Sequence, residues 1–509
     1  MTSSPAAPRR GPAGRRAERA HDVTSVRAAL RDPRRLRTEV LAGLVVALAL
    51  IPEAISFSII AGVDPRVGLF ASFTMAVSIA FLGGRPAMIS AATGAVALVI
   101  APVMREHGMD YLIATVILAG LVQVLLAVLG VARLMRFIPR SVMVGFVNAL
   151  AILVLLAQLP YLTDVTWHVY AMVAVGVALI ALLPRLTTAV PAPLVAIVVL
   201  TTATVALGLD VPDVADQGEL PDSLPSLFLP DVPLTLETLR IIGPFAVGMA
   251  LVGLMESLMT AKLVDDVTDT HSDKTREAWG QGAANVVTGF LGGMGGCAMI
   301  GQTMINTKVS GARTRISTFL AGVFLLVLVV GFGEPIGRIP MAALVAVMVM
   351  VCVATFDWHS VRPATLRRMP LSETAVMLAT VLVTVGTGNL AYGVVTGVLV
   401  AALMFVRRVA HVTEVVEVAH PDPDTRVYAV VGELLWASSN DLVYQFDYTG
   451  DPRNVVIDLS RSHIWDASTV AALDAITTKY AARGTHVTIT GLDEASAARH
   501  ARLAGHLGG

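Results

Sequence analysis

Fourteen apolar stretches constrain this chain more than any other feature. A helix needs about 20 mostly apolar residues to cross the hydrocarbon core of a bilayer. Such stretches fall near 39–60, 66–82, 90–104, 111–130, 138–159, 167–184 and 190–208. A polar stretch runs from Asp210 to Glu237, and a second set follows near 241–263, 278–293, 298–309, 315–331, 340–356, 371–386 and 390–406. The stretches at 278–293 and 298–309 read as too short and too Gly-rich for ordinary spans. Of the 509 residues, 55% are hydrophobic and 15% charged, against about 25% charged in a soluble protein, so most of the chain faces something other than water. The net charge of −1 gives no basic character to suggest nucleic acid. Cys297 and Cys352 both lie in apolar runs, which excludes a disulfide framework. Residues 1–37 are rich in Arg, Ala and Pro without an apolar core, so no cleavable signal peptide is expected.

Charge sets the expected topology. With the N-terminus inside, 26 of the 37 Lys and Arg fall on the inner side and four, Arg66, Arg105, Arg240 and Arg338, on the outer side. The remaining seven follow the last span. Cytoplasmic loops hold the Lys and Arg excess, so fourteen spans with both ends cytoplasmic are expected in an inner or plasma membrane. From His411 the composition changes. Val427–Val431, Val455–Leu459 and His486–Thr490 read as strands, and 467–483 and 493–505 as helices, which suggests a small α/β domain. The expected organisation is a basic cytoplasmic segment 1–37, an all-α polytopic membrane domain 38–410 and a cytoplasmic domain 411–509.

An internal repeat locates a candidate site. The third stretch is introduced by Gly83-Gly84-Arg85-Pro86-Ala87-Met88-Ile89-Ser90 and the tenth by Gly292-Gly293-Met294-Gly295-Gly296-Cys297-Ala298-Met299-Ile300-Gly301. Each sets a Gly pair, then Ala-Met-Ile and a small residue, ahead of a short apolar helix at the third position of its seven-span half. Seven is odd, so the second half enters the membrane inverted relative to the first. Interrupted segments at matching positions of inverted halves point to a transporter's binding site. A half-helix starting near the midplane has first N–H groups without helical partners, and the macrodipole adds about half a positive charge there. Two such ends make an anion site without a buried Lys or Arg; the alternative is that the glycines merely allow close helix packing. The candidate lining is Ala87, Ser90, Ala91, Thr93 and Gly94 with Ala298, Met299, Ile300, Gly301 and Gln302, where Ser90 and Gln302 offer side-chain donors.

Two carboxylates lie within spans, Glu53 after Pro52 and Glu256 in the eighth. A charge at mid-membrane costs at least about 2.5–3.5 kcal/mol on insertion scales, so each reads as a proton carrier or cation ligand unless it caps nearby backbone. Pro52 removes a backbone hydrogen bond and opens the helix locally, which favours Glu53 as the proton carrier. Glu256 and Thr260 are four apart and share a helix face, with Ser257 beside it, a setting suited to a cation or to holding the bundle. Asn148, Gln158, Asn306 and Lys308 read as inter-helix hydrogen-bonding residues, and Asp265-Asp266-Val267-Thr268-Asp269 as a solvated loop. The His residues show no metal spacing and no phosphate-cradling loop occurs, so no cofactor, no enzyme activity and no ATP-driven pumping is expected.

The chain resembles the SulP (sulfate permease) family of anion transporters. The resemblance rests on Ala42-Gly43-Leu44, Ile51-Pro52-Glu53-Ala54, Gly62-Val63-Asp64-Pro65, Gly68-Leu69-Phe70, Met255-Glu256-Ser257-Leu258 and Asn306 with Gly311-Ala312-Arg313-Thr314. It implies a fourteen-span, 7+7 inverted-repeat fold with core and gate domains, an anion site between the third and tenth spans, and a cytoplasmic STAS domain. The STAS match is Asp458-Leu459-Ser460 and Asp466-Ala467-Ser468-Thr469. In soluble relatives of that domain the serine corresponding to Ser468 accepts phosphate, which makes Ser468 a regulatory candidate; a plain N-cap by Asp466 or Ser468 is the alternative. Many animal members carry Ser-Arg where this chain has Gly301-Gln302, and many members have Gln where it has Glu53. Both departures favour an anion balanced by dipoles and a co-transported cation. Some bacterial bicarbonate members bind sodium near the eighth and tenth spans, and Glu256 with Thr260 matches their carboxylate–threonine pair.

The expected function is secondary active transport of a small anion, an inorganic oxyanion such as sulfate or bicarbonate or a dicarboxylate. Proton-coupled symport by elevator-type alternation in a homodimer is the leading form. The alternatives are a sodium-coupled bicarbonate symporter, an uncoupled anion channel or exchanger, and a membrane-anchored regulator acting through its STAS domain.

Overall fold

The computed structural model describes residues 24–130, 133, 138–186, 191–410, 413–418 and 422–506. Residues 1–23 of the basic segment, Arg136 and the boundary residue His411 lie outside them. Two compact units divide between Val398 and Leu399, inside the last apolar helix rather than at its end.

Each of the fourteen stretches forms a helix. In the first half these are α1 Pro33–Ala61, α2 Pro65–Leu82, α3 Gly94–His107, α4 Met109–Val128, α5 Arg140–Leu156, α6 Trp167–Leu182 and α7 Ala192–Leu207. In the second half they are α8 Leu236–Thr268, α9 Lys274–Phe290, α10 Ile300–Met304, α11 Arg315–Gly331, α12 Met341–Thr355, α13 Leu371–Thr387 and α14 Leu390–Ala410. Seven of them, α1, α2, α4, α5, α6, α8 and α14, are long and apolar enough to cross a membrane alone, and α7, α11, α12 and α13 are shorter apolar helices. Capping fixes their ends. Asp32 accepts the amides of Arg34 and Arg35 ahead of Pro33, and Gly62 closes α1 at φ +77°, a left-handed conformation that suits glycine. Thr235 and Asp273 cap α8 and α9 through the amides of Thr238 and Arg276.

One expectation is refined here and one corrected. The stretch at 278–293 belongs to α9, an unbroken helix of 17 residues. Its hydropathy is low because Glu277, Gln281, Asn285 and Thr288 are all buried along it. Its glycines serve close packing: a Cβ on Gly282 would lie 2.6 Å from the Gly120 carbonyl oxygen, and one on Gly120 equally close to that of Gly282. The α4 and α9 backbones therefore meet directly. Nor is the acidic run a solvated loop. Helix α8 continues to Thr268, and Asp265 takes Arg85 Nη1 at 2.8 Å and Lys274 Nζ at 2.5 Å.

The packing repeats by inversion. Helix α11 packs on α1 as α4 packs on α8; α9 packs on α4 as α2 packs on α11; α13 packs on α5 as α6 packs on α12. Each pair maps onto the other when seven is added to or taken from its numbers. The contacts sort the bundle into a core of α1–α4 with α8–α11 and a gate that includes α5–α7, α12 and α13. The Asp210–Glu237 stretch is stitched to helix ends. Its Val214 amide donates to Ile339 O at 3.0 Å, its Phe228 amide to Phe290 O at 2.7 Å, and its Asp231 amide to Asp110 Oδ1 at 3.0 Å.

The second unit is a four-stranded sheet with helices. Strands β3 Glu414–Val418, β4 Thr425–Leu434, β5 Asn454–Ile464 and β6 His486–Thr490 run in the order β3-β4-β5-β6, antiparallel for the first pair and parallel for the others. Strands β1 Ser90–Ala91 and β2 Cys297–Ala298 belong to the first unit. Helices α15 Trp436–Leu442, α16 Ala467–Ala481 and α17 Glu494–Leu503 accompany the sheet. Val430, Ile457, Leu459, Leu473, Ile476 and Tyr480 share its core. The Tyr428 and Tyr480 hydroxyls donate to Asp451 at 2.8 and 2.5 Å, and burial beside that carboxylate pushes the Tyr428 hydroxyl up to about 12. Strand β3 and helix α15 were not legible in the sequence.

Candidate functional site

The third and tenth segments stay extended before they become helical. Helix α3 has 14 residues and rises about 21 Å, short of a hydrocarbon core of about 30 Å. Helix α10 has five residues and continues as a π turn, Ile305–Val309. Ahead of them, strand β1, Ser90–Ala91, pairs antiparallel with β2, Cys297–Ala298, in the register Ser90 to Ala298 and Ala91 to Cys297.

Inside a membrane bundle, extended backbone must find its hydrogen bonds within the protein. Here side chains from the surrounding helices supply them. Ser72 accepts the Ala92 amide at 3.2 Å, Ser257 the Ala298 amide at 3.1 Å and Asn285 the Gly296 amide at 2.8 Å. The Thr303 hydroxyl accepts the Ile89 amide at 3.0 Å, and the Met299 amide donates to Ile89 O at 2.9 Å. Gly296 has no alternative: a Cβ there would lie 2.0 Å from Ala91 O. Ala87 sits at φ +60°, a strained value for a residue with a Cβ, and Asn306 Nδ2 holds its carbonyl at 2.8 Å.

The two half-helices open on a cavity of about 440 Å³. Eight of the residues singled out from the sequence line it: Glu53, Thr93, Gly94, Glu256, Met299, Ile300, Gly301 and Gln302. The opposite wall is apolar and comes from α5, α6 and α12, with Phe146, Leu150, Val154, Ile180, Val347 and Met350. Among the described residues the lining holds two carboxylates and no Lys, Arg or His. Glu53 accepts Gln302 Nε2 at 2.9 Å, and Glu256 accepts the Cys297 thiol at 3.0 Å. The Thr93 hydroxyl caps α3 through the Val96 amide at 3.3 Å and lies 3.1 Å from Cys297 Sγ.

Five of the singled-out residues stand behind this lining. Ala87, Ala91 and Ala298 are buried in the backbone crossing. The Ser90 hydroxyl is buried against Gln281, whose Nε2 donates to it at 2.7 Å, so the expected donor toward the cavity is taken up inside the scaffold. The Thr260 hydroxyl donates to the Glu256 backbone oxygen at 2.7 Å rather than joining the carboxylate. Asn148 and Asn306 bond between segments as expected, whereas Gln158 Nε2 donates to Val154 O four residues earlier. In the second unit Asp466 is the α16 cap, accepting the Thr469 amide at 3.0 Å, and Ser468 is exposed in the first turn.

Sequence reasoning missed the scaffold of α9 and the gate wall. Glu277, Gln281, Asn285 and Thr288 recur at helical spacing within a weakly apolar stretch, a signal that could have found them. Glu277 accepts the Gly84 and Arg85 amides at 2.7 and 2.8 Å and Gln281 Nε2 at 2.8 Å. The gate wall left no signal, since a Val or Leu facing a cavity reads like one facing lipid.

The sulfate permease family matches residues 36–183 and 171–380, and the STAS domain residues 416–507. The chain is 52% identical over 462 residues to a putative sulfate transporter, YbaR, of Bacillus subtilis, covering 91% of this chain and 95% of that one. It is 26% identical over 443 residues to the bicarbonate transporter BicA of a Picosynechococcus species, covering 79% and 76%. Among solved structures it is similar to the transmembrane domain of a cyanobacterium bicarbonate transporter BicA, with a TM-score of 0.63 at 25% identity over 73% of this chain and 98% of that one. Its fold is also that of the murine Slc26a9 anion transporter, with a TM-score of 0.78 at 15% identity over 91% and 87%. The inverted bundle, the crossed half-helices and the C-terminal sheet thus belong together: this multi-pass membrane protein is a member of the sulfate permease family of anion transporters.

Proposed function

We propose that the chain is a proton-coupled symporter of a small anion, with sulfate and bicarbonate as first candidates and a dicarboxylate as the next. One observation carries the reading: the cavity at the two half-helix ends holds Glu53 and Glu256 and, among the described residues, no basic side chain. The first amides of α3 and α10 lack intrahelical partners and favour an anion. An ionised carboxylate beside it opposes that. Two like charges about 5 Å apart at an effective dielectric of about 20 repel by about 3 kcal/mol, a factor of about a hundred in affinity. A proton on the carboxyl removes the penalty, so the anion and the proton bind together.

Elevator-type alternation suits the same cavity. The gate wall facing the core is made of Phe, Leu, Val, Ile and Met side chains, so a core sliding past them breaks no hydrogen bond with those groups. Glu53 is the proton carrier, since Pro52 opens the helix beside it. Glu256 holds the site together through Cys297 and stands one residue from Ser257, which anchors Ala298. Both chain ends are cytoplasmic in this reading, which the Lys and Arg distribution supports. The C-terminal domain regulates and assembles a homodimer, with exposed Ser468 as a candidate phosphate acceptor.

Three tests follow from this cavity and domain. Gly301→Trp should abolish uptake in folded, membrane-inserted protein, because a Cβ at Gly301 meets no atom within 4 Å and the indole would fill the cavity; normal uptake would remove the anion from this place. In proteoliposomes with proton and sodium gradients set separately, Glu53→Gln should bind anion yet fail to accumulate it on a pH difference, while Glu256→Gln should weaken binding by about tenfold, the weight of the one buried hydrogen bond to Cys297 that holds the site together. Accumulation by Glu53→Gln on a pH difference alone would place the proton elsewhere, and a requirement for sodium would favour the sodium-coupled alternative. Truncation before residue 411 should change oligomeric state, read by light scattering, without altering substrate preference; altered preference would contradict a purely regulatory domain.

A further inference from the structure

The Asp210–Glu237 segment crosses from the gate to the core, and it is docked on both. On the gate side it joins the start of α12. The Met341 amide donates to Pro212 O at 2.9 Å, the Val214 amide donates to Ile339 O at 3.0 Å, and Asp213 pairs with Pro340 in an antiparallel bridge. On the core side it joins α2, α9 and α4. The Arg66 amide donates to Glu219 O at 3.0 Å and the Arg66 guanidinium pairs with the Glu219 carboxylate, while Phe228 and Asp231 are bonded to Phe290 and Asp110.

Only Ala215–Gly218 separates the two sets of anchors. Ala215–Gln217 forms a 3₁₀ turn, closed by the Gln217 amide on Val214 O at 3.0 Å. Asp213 and Asp216 clasp it: each carboxylate accepts the other's backbone amide, at 3.2 and 3.0 Å. Both clasp bonds are exposed, so water replaces them at small cost. Gly218 follows at φ +133°, and a Cβ there would lie 2.2 Å from Asp64 Oδ1, so glycine is needed to turn this corner against the start of α2. The connection from α11 to α12 crosses beside it: a Cβ on its Gly337 would meet Ala215 Cβ and Leu220 Cδ1 at 3.5 Å each.

We propose that Ala215–Gly218 is a hinge of the transport cycle: its turn uncoils as the core moves against the gate, and both docked flanks stay in place. This rests on the elevator reading of the cavity. The flanks are fixed to bodies that change position relative to each other, so the displacement falls on the residues between them. A 3₁₀ turn rises about 2.0 Å per residue and extended chain about 3.4 Å, so uncoiling three residues yields about 4 Å. That movement opens the Asp213–Asp216 clasp and leaves the anchors at α12, α2, α9 and α4 made. Room for it is present. A cavity of about 690 Å³ lies against the segment, lined by Ile59 and Met104 of the core, Tyr161 after α5, and Gln217 and Phe228 of the segment itself. Its one basic lining residue among the described residues, Arg66, is paired with Asp64 and Glu219, so this space suits movement better than an anion.

The test locks the turn in the full chain. Asp213→Cys with Asp216→Cys sets two thiols three residues apart across a turn, within disulfide reach, and the native Cys297 and Cys352 are buried. In proteoliposomes supplied with sulfate or bicarbonate, oxidation should cut uptake by at least about tenfold, as expected when a conformational step is blocked. Anion binding should stay within about twofold, and reductant should restore uptake. A formed disulfide with uptake unchanged would overturn the hinge. If the reduced double variant is inactive, removal of Asp216 and Gln217 decides: the shortened chain should bind anion but lose uptake, and a Gly-Ser insertion after Gln217 should preserve uptake. Wild-type uptake by the shortened chain, or its loss in the lengthened one, would overturn the proposal. Spin labels at Glu106→Cys on α3 and Thr166→Cys before α6 test the elevator reading separately. A single core–gate distance in transporting protein, with and without anion and under either gradient direction, would overturn that reading and the hinge with it. A distance that changes while the locked chain still transports would overturn the hinge alone.

Discussion

The antiparallel contact of Ser90–Ala91 with Cys297–Ala298 is the interaction on which the rest of the bundle depends. Extended backbone in the middle of a membrane protein is tolerable only when its N–H and C=O groups are satisfied by protein. Two residues on each side satisfy a part of them. The remainder fall to Ser72, Ser257, Asn285 and Thr303, which come from α2, α8, α9 and α10. The crossing therefore dictates where polar residues must stand on four other helices. It also dictates glycine at 296, where the two chains pass too closely for a side chain.

The same constraint explains why one span is so polar. Helix α9 gives up much of its hydropathy to carry Glu277, Gln281 and Asn285 toward the crossing, and it compensates with glycines that let it lie against α4 and α2. Inversion symmetry then repeats the packing in both halves, so that two half-helices arrive at one cavity from opposite directions. The gate contributes shape and apolar surface to that cavity, and the polar chemistry comes from the core. This division separates the polar side of the cavity from its apolar wall.

Much of this was legible in the sequence, for physical reasons. Apolar stretches of membrane length, a Lys and Arg asymmetry and two Gly-rich entries at matched positions each report a strong constraint, and the fourteen helices follow them. Glu53 and Glu256 stood out because a carboxylate among apolar residues is expensive. What failed to show was direction and distance. Ser90 lies three residues before Thr93 of the lining yet bonds to Gln281, and Thr260 shares a face with Glu256 yet bonds to its backbone. Asp265 looked solvated because its partners Arg85 and Lys274 are 180 and 9 residues away. Strand β3 is mostly exposed and carries no apolar stripe to announce it.

In the proposed function an anion is held by helix ends while a carboxyl beside it gives up its charge. Proton uptake on anion binding tests this most directly. Purified protein in weakly buffered solution near neutral pH would be titrated with the transported anion while the pH is followed. About one proton taken up per anion bound is the expected result, by reciprocity between the two binding equilibria. Anion binding with no proton uptake across the pH range would contradict it.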